Sequence, residues 1–238
     1  RSTLFPYTTL FRSPYRMAGA ASTLKRLTLE LGGNDAAIVL DDIDPKEVAP
    51  QIFGAAFLNS GQVCIAIKRV YAHKKIYDEL CTELGQLARN TVVGDGMDPR
   101  SEFGPVQNRA QYEKVVGLIS SARSAGGRVV AGEAPQGGYC VPLTVVCDIE
   151  DGVALVDEEQ FGPVLPIVRV EDAGDAIRRA NNSSYGLGAS VWSRDLQVAQ
   201  DIAGRLHTGT VWINQHCAFG PHIDRKSTRL NSSHPYRS

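Results

Sequence analysis

One cysteine of this chain has the surroundings of a nucleophile. Cys64 follows a helix-like stretch and the break at Gly61-Gln62, and it begins another apolar run. A thiolate near backbone N–H groups freed at such a break has a lowered pKa, and the same N–H groups stabilise an oxyanion. The alternative is an inert buried thiol, which is usual for free cysteine. We expect that alternative for Cys81, Cys140 and Cys147, and Cys217 lies in a loop that the pattern does not classify.

A lone carboxylate is the second group that could do chemistry. Glu30 lies in the apolar run Leu27–Leu31 and is followed by Gly32 and Gly33. Burial of an unpaired carboxylate is costly and raises its pKa towards the range of a general base near neutral pH. The two glycines let the backbone approach a ligand closely. The alternative is that Glu30 lies at a strand end, where it is solvated or hydrogen-bonded.

The elements that must position these residues alternate between strands and helices. Asp44, Pro45 and Glu47 are an N-cap, a first helical residue and a capping-box partner. This alternation predicts an α/β fold, a mostly parallel sheet with helices on both faces. Short apolar runs predict strands at 27–31, 36–40, 69–73, 128–131, 141–147, 165–170, 189–192 and 210–213. Helical spacing predicts helices at 45–59, 76–87, 112–122, 172–181 and 196–206.

The composition excludes several classes of protein. Hydrophobic residues make up 43% and charged residues 21% of the 238 residues, without an apolar run long enough for a membrane span, so we expect a soluble protein. The five cysteines show no CxxC spacing, which fits reduced thiols in the cytoplasm. No HExxH and no paired Cys/His spacing occurs, so we expect no metal site. GxSxG and a Walker loop are also missing, which leaves a serine hydrolase and a phosphate-binding loop unsupported.

The two ends differ from the rest of the chain. Residues 1–16 and 225–238 are rich in Ser, Thr and Arg, contain no acidic residue and share Pro-Tyr-Arg. We interpret both as non-native tails flanking a domain over 17–224; the alternative is a pair of basic interaction arms. Without these ends the chain is acidic, which argues against nucleic-acid binding because phosphate contacts need clustered Lys and Arg.

Four motifs in order resemble the aldehyde dehydrogenase superfamily. Glu30-Leu31-Gly32-Gly33 is similar to the family's glutamate motif, and Gly61-Gln62-Val63-Cys64 to its cysteine motif at the expected separation. The segment 158–164, Glu-Glu-Gln-Phe-Gly-Pro-Val, and the segment 181–190 around Tyr185-Gly186-Leu187 also resemble family motifs. The resemblance covers residues 27–214, nearly all of the chain except its ends.

The resemblance implies roles for four residues. Cys64 would attack an aldehyde, giving a thiohemiacetal and, after hydride transfer to NAD or NADP, a thioester. Glu30 would activate the water that hydrolyses this thioester, and the N–H of Cys64 would supply half of the oxyanion site. Glu159 would bind the nicotinamide ribose and Phe161 would pack beside the nicotinamide. Without the resemblance, Glu159 reads as a surface acid and Phe161 as a core residue.

The sequence departs from the family pattern in three places. Asn34 stands where many relatives have lysine, no segment corresponds to the family's Rossmann-type cofactor domain, and the pattern ends after Ile223. We therefore expect this chain alone to have little or no dehydrogenase activity, although full-length relatives are homo-oligomeric enzymes. Two alternatives stay open: an acylating, coenzyme A-dependent relative, against which Glu30 argues, and a non-catalytic or truncated binding module.

Overall fold

The computed structural model describes residues 31–132 and 138–218, which contain a seven-stranded sheet. The order of strands across the sheet is β3-β4-β5-β2-β1-β6-β7. The strands are β1 (Asp35–Val39), β2 (Ile67–His73), β3 (Arg128–Ala131), β4 (Thr144–Cys147), β5 (Val164–Val170), β6 (Gly188–Trp192) and β7 (Thr210–Ile213). All neighbouring strands pair in parallel except β3, which runs antiparallel to β4 at one edge. The predicted mostly parallel α/β sheet is confirmed.

The helices connect these strands, and four of the six described begin at a side-chain cap. They are α1 (Pro45–Phe57), α2 (Tyr77–Arg89), α3 (Arg109–Ser124), α4 (Ala154–Asp157), α5 (Ala173–Asn181) and α6 (Leu196–Ala203). The predicted N-cap is confirmed, since the Asp44 carboxylate accepts a hydrogen bond from the Lys46 N–H at 2.9 Å. Asn108, Asp172 and Asp195 cap α3, α5 and α6 in the same way. Among the described residues, no helix is both long and apolar enough to cross a membrane.

Two hydrophobic clusters cover the two faces of the sheet. Alternate residues of a strand point to opposite faces, and in β1 Ala37 and Val39 belong to one cluster while Ala36 and Ile38 belong to the other. The first cluster contains the buried residues of α1 and α2, and the second contains those of α3, α4, α5 and α6. Every residue of β1 and β2 is buried, so the central strands are covered on both faces.

Several predicted boundaries were wrong. The helix expected to run to Asn59 ends at Phe57, because Asn59 has a left-handed φ of 52° that breaks the helical period. The strand expected from Val141 begins at Thr144, which leaves Cys140 partly buried ahead of it, and α6 ends at Ala203. Most of the strand expected at 27–31 lies outside the described residues, and Leu31 belongs to no strand.

Candidate active site

A turn with a strained backbone precedes Cys64, which lies just before the start of β2. After α1 the chain forms a single 3₁₀ turn over Leu58–Gly61, in which Asn59, Ser60 and Gly61 have φ angles of 52°, 55° and 71°. These are left-handed values that cost free energy for residues other than glycine. A side chain at Gly61 would also overlap the carbonyl oxygen of Gly162. This turn therefore packs directly against the segment that precedes β5.

Hydrogen bonds to a neighbouring loop hold the turn in place. The Ser60 hydroxyl donates to the Gly104 carbonyl at 2.9 Å, and the Gln62 side chain accepts from the Gln107 N–H at 2.8 Å. Gln62 Nε2 also donates to Asn59 O at 3.2 Å. Because these contacts hold both sides of the turn, they offset the free-energy cost of its left-handed backbone angles.

Gly32 and Gly33 lie against both other motifs. The Gly33 N–H donates to Glu159 Oε1 at 3.1 Å, and a Cβ on Gly33 would lie 2.5 Å from the carbonyl oxygen of Cys64. A Cβ on Gly32 would overlap the Glu159 carboxylate. The close backbone approach expected at the two glycines is thus present. It joins the glutamate-motif glycines, Cys64 and Glu159, which are far apart along the chain.

Glu159 is a buried carboxylate rather than a surface acid. It is 6% exposed, its carbonyl accepts from Lys114 Nζ at 2.7 Å, and its N–H donates to the Tyr185 hydroxyl at 3.4 Å. Tyr185 belongs to the fourth sequence motif, so that motif also reaches this region. Four motif segments therefore meet where β1, β2, β5 and β6 begin.

Phe161 lies beside Glu159 in a left-handed conformation, with a φ of 49°. Gln111 Nε2 of α3 donates to the carbonyls of Gln160 and Phe161 at 2.6 and 3.1 Å, and this side chain fixes the local backbone. Phe161 is partly buried, and Lys68 Nζ lies 5.4 Å from its ring centroid.

Two buried charged residues of the site were missed by the sequence analysis. Lys68 is 2% exposed and donates to the Gly61 carbonyl at 2.6 Å; burial lowers its pKa to about 8, although Glu159 and Asp35 oppose that shift. Asp35 is 1% exposed, and burial raises its pKa to about 7, although the Gly188 N–H donates to its Oδ1 at 3.1 Å. The signal was present, because each is a charged residue within or next to an apolar run, the argument already applied to Glu30.

The electrostatics at Cys64 differ from the expectation. Burial raises the pKa of the Cys64 thiol, and the negative charges of Asp35 and Glu159 add to this rise. The Ile65 N–H and the Lys68 ammonium lower the pKa, as expected of a freed N–H group and a cation, but they are outweighed. Cys64 remains partly exposed, whereas Cys81 and Cys147 are buried.

Residues after β7 close the site from the other side. His216 Nε2 lies 2.7 Å from the Ile65 carbonyl oxygen and 3.6 Å from Asp35 Oδ2, and burial lowers the pKa of His216 to about 4. The Cys217 thiol donates to the same Ile65 carbonyl at 3.3 Å, and burial raises its pKa to about 11. Cys217, which the sequence left unclassified, is therefore a protonated neighbour of Cys64. Glu30, the predicted base, lies outside the described residues.

Comparison with known proteins points to one family. The family model described as "Aldehyde dehydrogenase family" matches residues 15–225. The mitochondrial aldehyde dehydrogenase of Mesocricetus auratus is 38% identical over 207 residues, which are 86% of this chain and 41% of that protein.

Two solved structures match the fold as well as the sequence. The NAD+ complex of aldehyde dehydrogenase from Bacillus cereus gives a TM-score of 0.82 at 38% identity, over 87% of this chain and 42% of that one. The NADP complex of NADP-dependent glyceraldehyde-3-phosphate dehydrogenase from Bacillus halodurans C-125 gives a TM-score of 0.79 at 38% identity, over 87% of this chain and 44% of that one. The chain thus spans less than half the length of these relatives.

Proposed function

The chain belongs to the aldehyde dehydrogenase family, and from that premise we propose that it carries the nucleophilic half of an NAD(P)+-dependent enzyme that oxidises an aldehyde to a carboxylic acid. The observation that carries the proposal is the contact of Gly33 with both Cys64 and Glu159. It brings the nucleophile motif and the cofactor motif to the two glycines that follow Glu30. A carbonyl held there would lie beside the Cys64 segment and directly after the segment that carries Glu30 in the sequence.

Cys64 is the proposed nucleophile. Its sulfur attacks the aldehyde carbon, forming a C–S bond and a tetrahedral thiohemiacetal whose oxygen carries the charge lost from the thiolate. The N–H of Cys64 is the proposed half of the oxyanion site, since a donor aimed at the developing charge stabilises it. The partial exposure of Cys64 leaves room for this attack, while the raised pKa of its thiol requires that a neighbouring group or the solvent take the proton.

Glu30 is the proposed general base for the second half of the reaction. It removes a proton from a water molecule as that water attacks the thioester carbon. The C–S bond then breaks, which releases the carboxylic acid and returns the Cys64 thiol. A base of this kind is needed for hydrolysis but not for transfer of the acyl group to another thiol. This is why a hydrolytic outcome is preferred over the acylating alternative.

The residues around Glu159 fit the nicotinamide end of the cofactor. The Glu159 carboxylate, fixed through Oε1 by the Gly33 N–H, is an acceptor of the kind that ribose hydroxyls need, and the Phe161 ring beside it suits a planar heterocycle. Relatives at 38% identity were solved with NAD+ and with NADP bound. When bound, the dinucleotide supplies the hydride acceptor that the oxidation of the thiohemiacetal requires.

An activated acyl ester tests the proposal without the cofactor. Attack of Cys64 on p-nitrophenyl acetate releases p-nitrophenolate and forms the acetyl thioester directly, because the ester is already at the oxidation level of the acid. We expect Cys64→Ala to abolish rapid acylation, and Glu30→Gln to leave acylation intact but slow deacylation. The acetylated protein would then accumulate in intact-mass spectra.

Cys217→Ser is the matched control, because Cys217 donates to the carbonyl next to Cys64 yet has no proposed covalent role. Acylation that persists unchanged in Cys64→Ala would refute the nucleophile. Rapid transfer of the acetyl group to added coenzyme A, with Glu30→Gln having no effect on hydrolysis, would favour the acylating alternative.

A further inference from the structure

Lys68 is a buried cation that the proposed reaction does not use. Its ammonium is almost fully removed from water, and among its hydrogen bonds is a short one of 2.6 Å to the Gly61 carbonyl. A buried ammonium is costly unless charges and acceptors around it offset the lost hydration. Lys68 is the second residue of β2 and lies four positions after Cys64 in the sequence.

Two carboxylates, two thiols and one imidazole interact electrostatically with this ammonium. Asp35 and Glu159 raise the pKa of Lys68, and so do the thiols Cys64 and Cys217. His216, held neutral by burial, also feels the positive charge of Lys68, which contributes to lowering its pKa. Lys68 is thus the cation placed among two carboxylates, two thiols and an imidazole.

The other cations nearby make their hydrogen bonds elsewhere, although the charge of Arg69 also lowers the pKa of Asp35. The Arg69 guanidinium donates to the carbonyls of Asn34 and Ala180 and to the Tyr71 hydroxyl. Lys114 binds the main-chain carbonyl of Glu159 from α3. Lys68 alone, among these three, points its charge at the turn that carries Cys64.

The contacts of Lys68 also join two segments mechanically. Gly61 is the last residue of the left-handed turn before Cys64, and its carbonyl is the atom that Lys68 binds. The Phe161 ring lies 5.4 Å from the same ammonium, within the range of a cation–π contact. A single side chain therefore links the turn of the nucleophile to the segment proposed to hold the nicotinamide.

We propose that Lys68 is a positioning residue for the Cys64 nucleophile. Its ammonium fixes the Gly61 carbonyl and offsets the negative charges of Asp35 and Glu159. Cys64 can then form a thiolate in a site where burial and these two carboxylates disfavour negative charge. This inference rests on the proposed function, because it assigns Lys68 a role only if Cys64 is the nucleophile. Lys68 acts through Cys64 and does not itself touch the reacting carbonyl.

The rate at which iodoacetamide alkylates Cys64, followed by peptide mass spectrometry from pH 7 to 10, tests the inference on the 238-residue chain. At pH 7 we expect Lys68→Met to slow alkylation about tenfold, the effect of one unit of thiol pKa. The ratio of the two rates should approach one as the pH rises through about 8, where Lys68 of the unaltered protein loses its own charge. Lys46→Met, the same change at an exposed position, should change nothing.

A purely structural role predicts a different pattern. If Lys68→Met only loosens the turn, the rate ratio will be independent of pH, and that result overturns the inference. The arginine of Lys68→Arg keeps its charge at all these pH values. We therefore expect the alkylation rate of Cys64 in this variant to match that of the unaltered protein at pH 7 and to exceed it above pH 8. If circular dichroism shows that Lys68→Met does not fold, Lys68→Arg decides: an Arg variant with no advantage above pH 8 overturns the inference.

The same data separate this inference from the proposed function. Cys64 that reacts no faster than Cys217 in the unaltered chain would count against Cys64 as nucleophile. Cys64 that reacts first, but with a pH dependence unaffected by Lys68→Met, would leave the nucleophile in place and remove the role of Lys68.

Discussion

The backbone N–H of Gly33 donates a hydrogen bond to Glu159 Oε1 across 3.1 Å, although the two residues are 126 positions apart. This bond is formed where Gly33 also faces the carbonyl of Cys64, so one peptide unit touches two motifs. The site therefore depends on a close main-chain approach that leaves no space for a side chain.

Gly33→Ala should destabilise the protein by about 1–3 kcal/mol, the usual cost of overpacking. Its Cβ would lie 2.5 Å from a backbone carbonyl that cannot rotate away. The Cβ of Gly32→Ala would instead meet the end of the Glu159 side chain, which can shift if it gives up its hydrogen bond to Gly33, so this change should cost less. Urea unfolding measures both. Gly117→Ala, on an exposed stretch of α3 with no atom within 4 Å of the new Cβ, is the control and should be neutral or stabilising. Equal costs for Gly33→Ala and Gly117→Ala would contradict this picture.

Asp35 should give the stability an unusual pH dependence. Burial raises its pKa to about 7 from 3.8, so the folded state holds the proton more tightly than the unfolded state. The contribution of this proton to the free energy of unfolding is complete below pH 3.8. It is lost as the pH rises through about 7, at about 1.4 kcal/mol per pH unit in between. His216, with its pKa lowered to about 4 from 6.5, has the opposite slope between those two values and offsets Asp35 there.

The Asp35→Asn variant isolates the aspartate. The amide keeps an acceptor for the Gly188 N–H but has no proton to lose. We expect the free energy of unfolding of Asp35→Asn, minus that of the unaltered protein, to increase steadily from pH 4 to 7 in urea titrations. Asp201→Asn, on the exposed face of α6, provides the control. A difference that stays constant with pH would show that Asp35 does not titrate in this range.

We expect a fixed order of reaction with limiting iodoacetamide among four of the five cysteines, Cys64, Cys217, Cys81 and Cys147. Cys64 is partly exposed and should be labelled first; Cys217 should follow, because burial raises its pKa to about 11. Cys81 and Cys147 are 2% and 0% exposed and should react only on unfolding. Mass-spectrometric mapping of partially labelled protein gives the order. Labelling of Cys217 before Cys64 would be the opposite of what we expect.

Asp44→Ala should remove the cap of α1 and cost about 1 kcal/mol, because the Lys46 N–H loses its acceptor. Asp44→Asn retains an acceptor and should cost less. Since Asp44 lies at the far end of α1 from the turn before Cys64, the labelling rate of Cys64 in the folded variant should stay unchanged. A faster rate in Asp44→Ala would mean that the whole helix, and not the turn alone, holds the cysteine.

The 238-residue chain alone should oxidise aldehydes poorly or not at all. It covers only 42% of the Bacillus cereus chain that was solved with NAD+, so more than half of that chain has no counterpart here. Spectrophotometric assay with NAD+ or NADP+ and a simple aldehyde measures the turnover. Robust reduction of the cofactor that disappears in Cys64→Ala would refute this expectation.

Local patterns predicted the elements better than the contacts between them. The strands 128–131 and 210–213 have the predicted bounds, and Asp44 caps α1, because apolar runs and caps act within a few residues. The break after Phe57 was misplaced, since the left-handed turn is held by contacts of Ser60 and Gln62 with a distant loop, which periodicity does not contain. The sequence singled out Cys64 and Glu159 but not Lys68 and Asp35. Their importance arises from burial in a shared site, which depends on how β1 and β2 pair.

The order of the strands has a consequence for how the protein acquires its reactivity. β2 pairs with β5 and β1 pairs with β6, and the strands of each of these pairs are not consecutive along the chain. Contacts between such distant segments form late, because the chain must close long loops before it gains from them. In a partly formed sheet Cys64 would lack its neighbours in the site. We therefore expect the alkylation rate of Cys64 to report on the last stage of folding.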